Sequence, residues 1–288
     1  MDFKIGDIVA RKSYNYDVLF RVIHISNDGV ADLVGITTRI LADAYLYDLK
    51  LIGKDELNAR LKNISNSRRT RMNRSYDNLN KNRGAFNNYR ENSNFSKMYQ
   101  REKTYKKPGS VLHLDGDGEY CKECKKIYKE MGLNAIIYNL NEKDQYKHVP
   151  TLLNRYKPEI LVLTGHDAFV KRRNDIYNID NYKNSKYYIQ AVLEARKFEH
   201  NLDNLVIFAG ACQSYYEAIV SAGANFASAP KRVLIDMMDP MIVAQSVAYT
   251  PVNEFVSLEN IISNTREGIN GIGGRQTRGQ YRIGMPGL

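Results

Sequence analysis

Cysteine is scarce: Cys121, Cys124 and Cys212 are the only three in 288 residues. An odd and sparse set argues against a disulfide framework and for a reducing compartment. Cys121-x-x-Cys124 lacks a second ligand pair at finger-like spacing, so no zinc site is read from it. Long apolar runs are missing too; none approaches the roughly 18 residues a membrane helix needs. The opening Met1-Asp2-Phe3-Lys4-Ile5-Gly6-Asp7 carries charge where a signal peptide would be apolar. A cytoplasmic protein with no membrane partner is expected, with no metal and no cofactor.

What is present suffices for a globular core, since 43% of the residues are hydrophobic. The formal charge of +10 is localised. Of 42 Lys/Arg and 32 Asp/Glu, residues 61–110 hold 13 and 3, which leaves 29 of each elsewhere. The basic excess therefore belongs to one segment and not to a nucleic-acid-binding face of the whole molecule.

Three regions follow. Residues 1–53 read as short strands around turns such as Asn27-Asp28-Gly29, and five strands in so short a stretch predict a small SH3-like β-barrel used for docking or packing. Residues 54–109 are rich in Asn, Ser, Arg and Lys and poor in aliphatic side chains. Such a stretch cannot offset its ordering entropy, so a disordered basic linker is predicted, with helix only near Asp55–Lys62. Its Tyr76, Phe86, Tyr89, Phe95 and Tyr99 have the aromatic interleaving that stacks on bases, although a solvated tether explains them as well.

Residues 110–288 alternate apolar runs with helical patterns. Strands are predicted at Ser110–Leu114, Leu133–Leu140, Ile160–Thr164, Leu205–Ala209 and Val233–Ile235. Helices are predicted at Tyr120–Met131, Tyr146–Tyr156, Tyr187–Glu199, Tyr215–Ala222 and Ser257–Arg266. The alternation means an α/β domain, a mostly parallel sheet with helices on both faces. Chemistry in such sheets collects beyond the carboxyl ends of the strands.

Two apolar strands deliver reactive groups to that edge. Ile160–Thr164 and Gly165 lead to His166, and Leu205–Ala209, Gly210 and Ala211 lead to Cys212. A thiol and an imidazole at one sheet edge are what thiol catalysis needs. A helix starting just after Cys212 would favour its thiolate. Either residue alone would read as an ordinary buried side chain; their joint placement points to catalysis.

Gly210-Ala211-Cys212-Gln213, with a histidine 46 residues upstream, resembles the caspase element and the equivalent site of gingipains, clostripain and separase. Over the whole chain the sequence resembles the YabG family of sporulation-specific peptidases. The shared stretches are KIGDIV at the amino terminus, LHLDGD at 112–117, LVLTGHDA at 161–168, VIFAGACQSYYEA at 206–218 and LIDMMDP at 234–240. The resemblance implies a caspase-like cysteine endopeptidase that cleaves after basic residues, Arg above all. It also implies coat and cortex-associated proteins of the developing spore as substrates, in the sporulating cell.

Many caspase-like enzymes have glycine directly after the histidine. Here Asp167 follows and Gly165 precedes, so the amide of Cys212, with one near Gly165–Asp167, is expected to hold the oxyanion. A preference for Arg needs a buried carboxylate. Asp115 and Asp117, on the first loop of the active edge, are the first candidates, and Asp236 and Asp239 the second; turn chemistry alone could also explain Asp115-Gly116-Asp117-Gly118. Arg68, Arg69, Arg71, Arg74 and Arg83 then become expected self-cleavage sites in exposed chain. Cys121 and Cys124, three apart on a helix, could form a redox pair, but their polar setting argues against it. His24, His113, His148 and His200 are read as structural or solvent-facing, and Gly268–Gly274 as a mobile loop bordering the cleft. The rival function is a non-enzymatic protein binding nucleic acid or spore matrix through the barrel and linker, with a steep salt dependence.

Overall fold

A computed structural model of the chain describes residues 3–91, 105–170 and 175–284. Its centre is a six-stranded sheet in the order β12-β11-β10-β9-β7-β8. Strands β7 (Val111–Asp115), β8 (Ala135–Asn139), β9 (Ile160–Thr164), β10 (Val206–Ala209) and β11 (Phe226–Ser228) run parallel, and β12 (Ile272–Gly274) is antiparallel to β11. Helices join the parallel strands: α2 (Gly118–Glu130), α3 (Glu142–Tyr156), α4 (Ser185–Phe198) and α5 (Tyr216–Ser221).

Alternation along the strands sends side chains to two cores. Leu112, Leu114, Leu161, Leu163, Ile207 and Ala209 pack with α3 and α4. Val111, Ile160, Val162, Val206 and Phe208 pack on the other face with α2 and with α6 (Asp239–Tyr249). Every residue of α6 is buried. A helix buried all round has no amphipathic stripe to reveal it, and none was expected there. A short helix, α7 (Leu258–Asn264), follows it. The strand expected at Val233–Ile235 is not part of the sheet; β11 and β12 take that edge.

The amino-terminal module has its five strands: β1 (Ile8–Arg11), β2 (Phe20–Ile25), β3 (Val30–Gly35), β4 (Leu41–Tyr45) and β5 (Leu49–Leu51). They form one antiparallel sheet in the order β4-β3-β2-β1-β5. Among the described residues no ladder joins β4 to β5, so the expected barrel closure is not seen.

The disordered linker is corrected over much of its length, because Lys54–Glu91 is one 38-residue helix, α1. Its own composition does not sustain it; tertiary contacts do. Leu57 and Leu61 pack on Ala10, Leu19 and Ile52, while Met72 and Leu79 join the main core. Arg68 Nε donates to Asp236 at 2.9 Å, and Arg71 Nη1 to Asp239 at 2.9 Å. Arg68 and Arg71 are thus helical and paired, and Arg69 and Arg74 are exposed on the same helix rather than in flexible chain. Residues 92–104, with Phe95 and Tyr99, lie outside the described residues, as do the side chains of Arg83, Phe86 and Tyr89. A two-stranded ribbon of β6 (Tyr105–Lys107) and β13 (Arg282–Gly284) closes the chain. The glycine-rich tail contributes β12 to the sheet edge instead of a mobile loop; a Cβ on Gly274 would run into the Phe226 ring.

Candidate active site

Strands β9 and β10 pair with Leu163 beside Ala209, so His166 and Cys212 each lie three residues beyond the same register position. Both loops leave the sheet through glycine. Gly210 takes a left-handed φ of 112°, and a Cβ on Gly165 would collide with the Glu142 carboxylate. Glu142, at the start of α3, accepts the His166 backbone N–H at 2.7 Å. Burial holds the Glu142 carboxyl up at about 7, the hydrogen bond from the His166 amide opposing it.

The His166 ring is buried. Its Nε2 is 3.4 Å from the carbonyl oxygen of Gly35 and 3.8 Å from Asp117 Oδ2, and its plane lies against the Tyr120 ring with centroids 5.2 Å apart. Burial lowers its pKa, while Asp117 and Asp115 act in the opposite direction. Asp117 also caps α2, accepting the N–H groups of Glu119 and Tyr120.

Cys212 is wholly buried. Its Sγ accepts the Ile235 N–H at 3.2 Å and lies 3.6 Å from the Ile235 carbonyl. Burial pushes the thiol up to about 12, against the hydrogen bond from Ile235. The helix expected just after Cys212 is α5, which begins at Tyr216, four residues on, and has only six residues. No direct hydrogen bond joins Cys212 to His166 among the described contacts.

A segment of the amino-terminal module lies across this edge. The carbonyl oxygen of Arg39 accepts from the backbone N–H of Cys212 at 3.0 Å and from that of Asp167 at 3.3 Å. On one side of Arg39, Thr38 bridges Asp236 in antiparallel fashion, and Met237 N–H donates to the Thr37 carbonyl at 3.2 Å. On the other side, Ile40 bridges Asp167 in parallel, and Leu41 N–H donates to the Asp167 carbonyl at 3.0 Å.

The Arg39 side chain is wholly buried. Nη1 donates to Asp115 Oδ2 at 2.6 Å, Nη2 to the Met237 carbonyl at 3.3 Å, and the guanidinium lies over the Tyr120 ring at 5.0 Å. Burial alone would discharge both groups. Their mutual attraction outweighs it, holding Asp115 far below the usual carboxylate range and Arg39 above its own. Thr164 Oγ1 donates to Asp115 Oδ2 at 2.7 Å, and His113 Nε2 is 2.6 Å from that hydroxyl with Tyr128 on its other nitrogen. His113, Asp115 and Cys124 could converge on a metal ion, but the guanidinium already satisfies Asp115 and the threonine engages His113.

The expected residues thus separate. Cys212 and His166 follow paired strands at the same register, Asp117 lies beside the His166 ring, Asp115 holds the Arg39 guanidinium, and the amides of Cys212 and Asp167 converge on the Arg39 carbonyl oxygen. Gly165 instead presents its carbonyl to Arg39 Nη1, at 3.5 Å. The side chains of Asp236 and Asp239 hold α1 through Arg68 and Arg71 and do not bond the Arg39 guanidinium. Cys121 and Cys124 are free; burial raises both thiols, Cys121 to about 12, the opposite of a redox-active pair. Sequence reasoning missed Arg39, Tyr120 and Glu142. Tyr120 was readable only as a core position of α2, yet its hydroxyl donates to the carbonyls of Gly35 and Thr38 at 2.8 and 3.0 Å.

Among the described residues no helix is long and apolar enough to cross a membrane. Residues 4–286 match the family model described as YabG peptidase U57. The chain is 41% identical to the sporulation-specific protease YabG of Bacillus subtilis (strain 168) over 293 aligned residues, covering 99% of each protein. A match along nearly the whole length means that this chain belongs to the YabG peptidase family.

Proposed function

We propose that the chain is a cysteine endopeptidase of sporulation that cuts after arginine, with Cys212 as nucleophile and His166 as proton carrier. One observation supports this reading above all. A backbone carbonyl lies between the amides of Cys212 and Asp167 while the arginine bearing it reaches the buried Asp115. Those two amides are placed as an oxyanion hole is placed, and the pocket has the charge that a P1 arginine requires.

In the proposed reaction the Cys212 thiol gives its proton to the imidazole as sulfur attacks the scissile carbonyl. The developing oxyanion is held by the N–H groups of Cys212 and Asp167. With Nε2 directed at the Gly35 carbonyl, Nδ1 is the nitrogen left to carry the proton to the departing amine. Water then hydrolyses the thioester. Asp117 and Tyr120 act through His166 by fixing its ring, and Asp115 binds the guanidinium. Protein substrates of the spore coat and cortex are what the family resemblance implies.

The test is release of an Arg-ended fluorogenic peptide by the full chain after prolonged incubation. Cleavage should disappear in Cys212→Ala and His166→Ala, and after iodoacetamide treatment of the incubated enzyme. Cleavage retained by Cys212→Ala would overturn the proposal.

A further inference from the structure

The segment carrying Arg39 connects β3, which ends at Gly35, to β4, which begins at Leu41. A hairpin connection of this kind belongs on a solvated surface. Here its longest side chain is wholly buried, 76 residues away in sequence from its carboxylate partner. Burying a charge pair is weak as a source of stability, because desolvation cancels much of the attraction. This pair is also incomplete, since Arg39 Nε is buried with no hydrogen-bond partner. A purely structural strut would be better served by an apolar side chain.

The contacts form a pattern of a different kind. The residue before Arg39 pairs antiparallel with the chain at 235–237, and the residue after it pairs with Asp167. Its carbonyl meets the two amides assigned to the oxyanion, and its guanidinium fills the Asp115 pocket. Backbone pairing on both sides of a residue, with its side chain in a pocket, is how a bound peptide is recognised. Arg68 Nη2 adds a clamp from α1 by donating to the Thr37 carbonyl at 3.0 Å.

Building on the peptidase reading, we infer that Thr37–Leu41 is a substrate held in the cleft by the chain itself, and that Arg39–Ile40 is the bond Cys212 cuts to open the site. Until the cut, the amino-terminal sheet keeps other chains out of the arginine pocket. Sulfur bonds to the Arg39 carbonyl carbon, the bond to the Ile40 nitrogen breaks, and His166 delivers the thiol proton to that nitrogen, which becomes a new amino terminus. Water then splits the thioester, leaving Arg39 with a carboxylate and Cys212 with its thiol. The chain turns sharply here, Ile40 N–H donating to the Thr38 carbonyl at 2.9 Å. Holding the leaving nitrogen this way slows the cut, so the segment inhibits before it is consumed.

The experiment follows the full-length chain by intact mass and amino-terminal sequencing while an Arg-ended peptide is assayed in parallel. Wild type should acquire a fragment beginning at Ile40, and peptide cleavage should rise from a lag as it accumulates. Cys212→Ala should show neither. Arg39→Asp, which places a second carboxylate against Asp115, should expel the segment and abolish the lag, raising the initial rate roughly tenfold or more. Arg39→Gln is a milder replacement that should stay uncut at this bond. Wild type that cleaves the peptide from the first moments without an Ile40 terminus would overturn the inference and leave the peptidase reading standing. Activity in Arg39→Asp beside an uncut, inactive wild type would also overturn it. No peptide cleavage by wild type, Arg39→Asp or Arg39→Gln would bring down the peptidase reading itself.

Discussion

Asp167 Oδ2 accepts a hydrogen bond from Ser214 Oγ at 2.9 Å, which ties the loop bearing His166 to the loop bearing Cys212. The same carboxylate accepts from Ser185 Oγ at 2.6 Å and from the N–H groups of Ala168 and Asn184. Burial raises its pKa to about 6 despite these four donors. One side chain therefore sets the spacing of the two strand-end loops and the start of α4. An aspartate after the histidine, where many caspase-like enzymes have glycine, gives up none of the backbone donation and adds a fixed joint.

Replacing Asp167 by Ala leaves those four donors without their acceptor. Unmet buried donors cost about 1–3 kcal/mol each before relaxation, so a total of several kcal/mol of lost stability is expected. Ser214→Ala removes one bond and should cost about 1 kcal/mol. Denaturant midpoints check both, and turnover of Arg peptides should fall in the same order. Equal stability of Asp167→Ala and wild type would show that the joint does not hold the loops.

Asp115, which holds the Arg39 guanidinium, should be separable from catalysis. Removing one partner of a buried ion pair costs roughly 3–5 kcal/mol, equivalent to about a hundredfold to several thousandfold in kcat/KM. In an Arg39→Asp background, which expels the segment without a cut, Asp115→Asn should lose that much towards Arg peptides. Towards a matched peptide with glutamine before the cut it should change little. A uniform loss on both peptides would mean that Asp115 supports the fold and not the specificity.

The sequence displayed four of the five parallel strands because each is an apolar run, and it displayed His166 and Cys212 because they follow two of those runs. Asp115 was within reach for the same reason. α6 escaped notice because an all-buried helix has no polar face to set a period, and β11 and β12, three residues each, are too short to signal. α1 escaped because its order comes from Asp236 and Asp239, far away in sequence. Arg39 gave no sign at all. Its meaning lies entirely in what it touches, and every one of those partners belongs to another part of the chain.

The docking of α1 gives a further expectation. Arg71→Met keeps the apolar stem but leaves Asp239 facing Asp236 with only backbone donors. Asp239 is already held above the ordinary carboxylate range by burial and by Asp236. It will take up a proton rather than remain an unpaired ion, which limits the cost to about 3 kcal/mol. Adding Asp239→Asn should recover part of that. Denaturant midpoints and the rate of tryptic cutting within α1 are the measurements; a double variant as unstable as the single one would dismiss the pairing as the cause.

Glu142 makes stability depend on pH in a definite direction. Burial raises its carboxyl from 4.5 in the unfolded chain to about 7 in the fold. Between those values the folded state holds a proton that the unfolded state has released. Stability therefore falls as pH rises through this window, and the penalty is complete above about 7. A shift of this size corresponds to at most about 3 kcal/mol, less whatever local relaxation recovers. Glu142→Gln retains a carbonyl for the His166 amide but cannot ionise. In a Cys212→Ala background, which prevents self-cleavage, the variant should gain on the parent as pH is raised from about 4.5 to about 7, with a constant difference beyond. Parallel stability curves for the two proteins across that range would mean that Glu142 is ionised at no cost, and that the contact beside His166 is wetter than its burial implies.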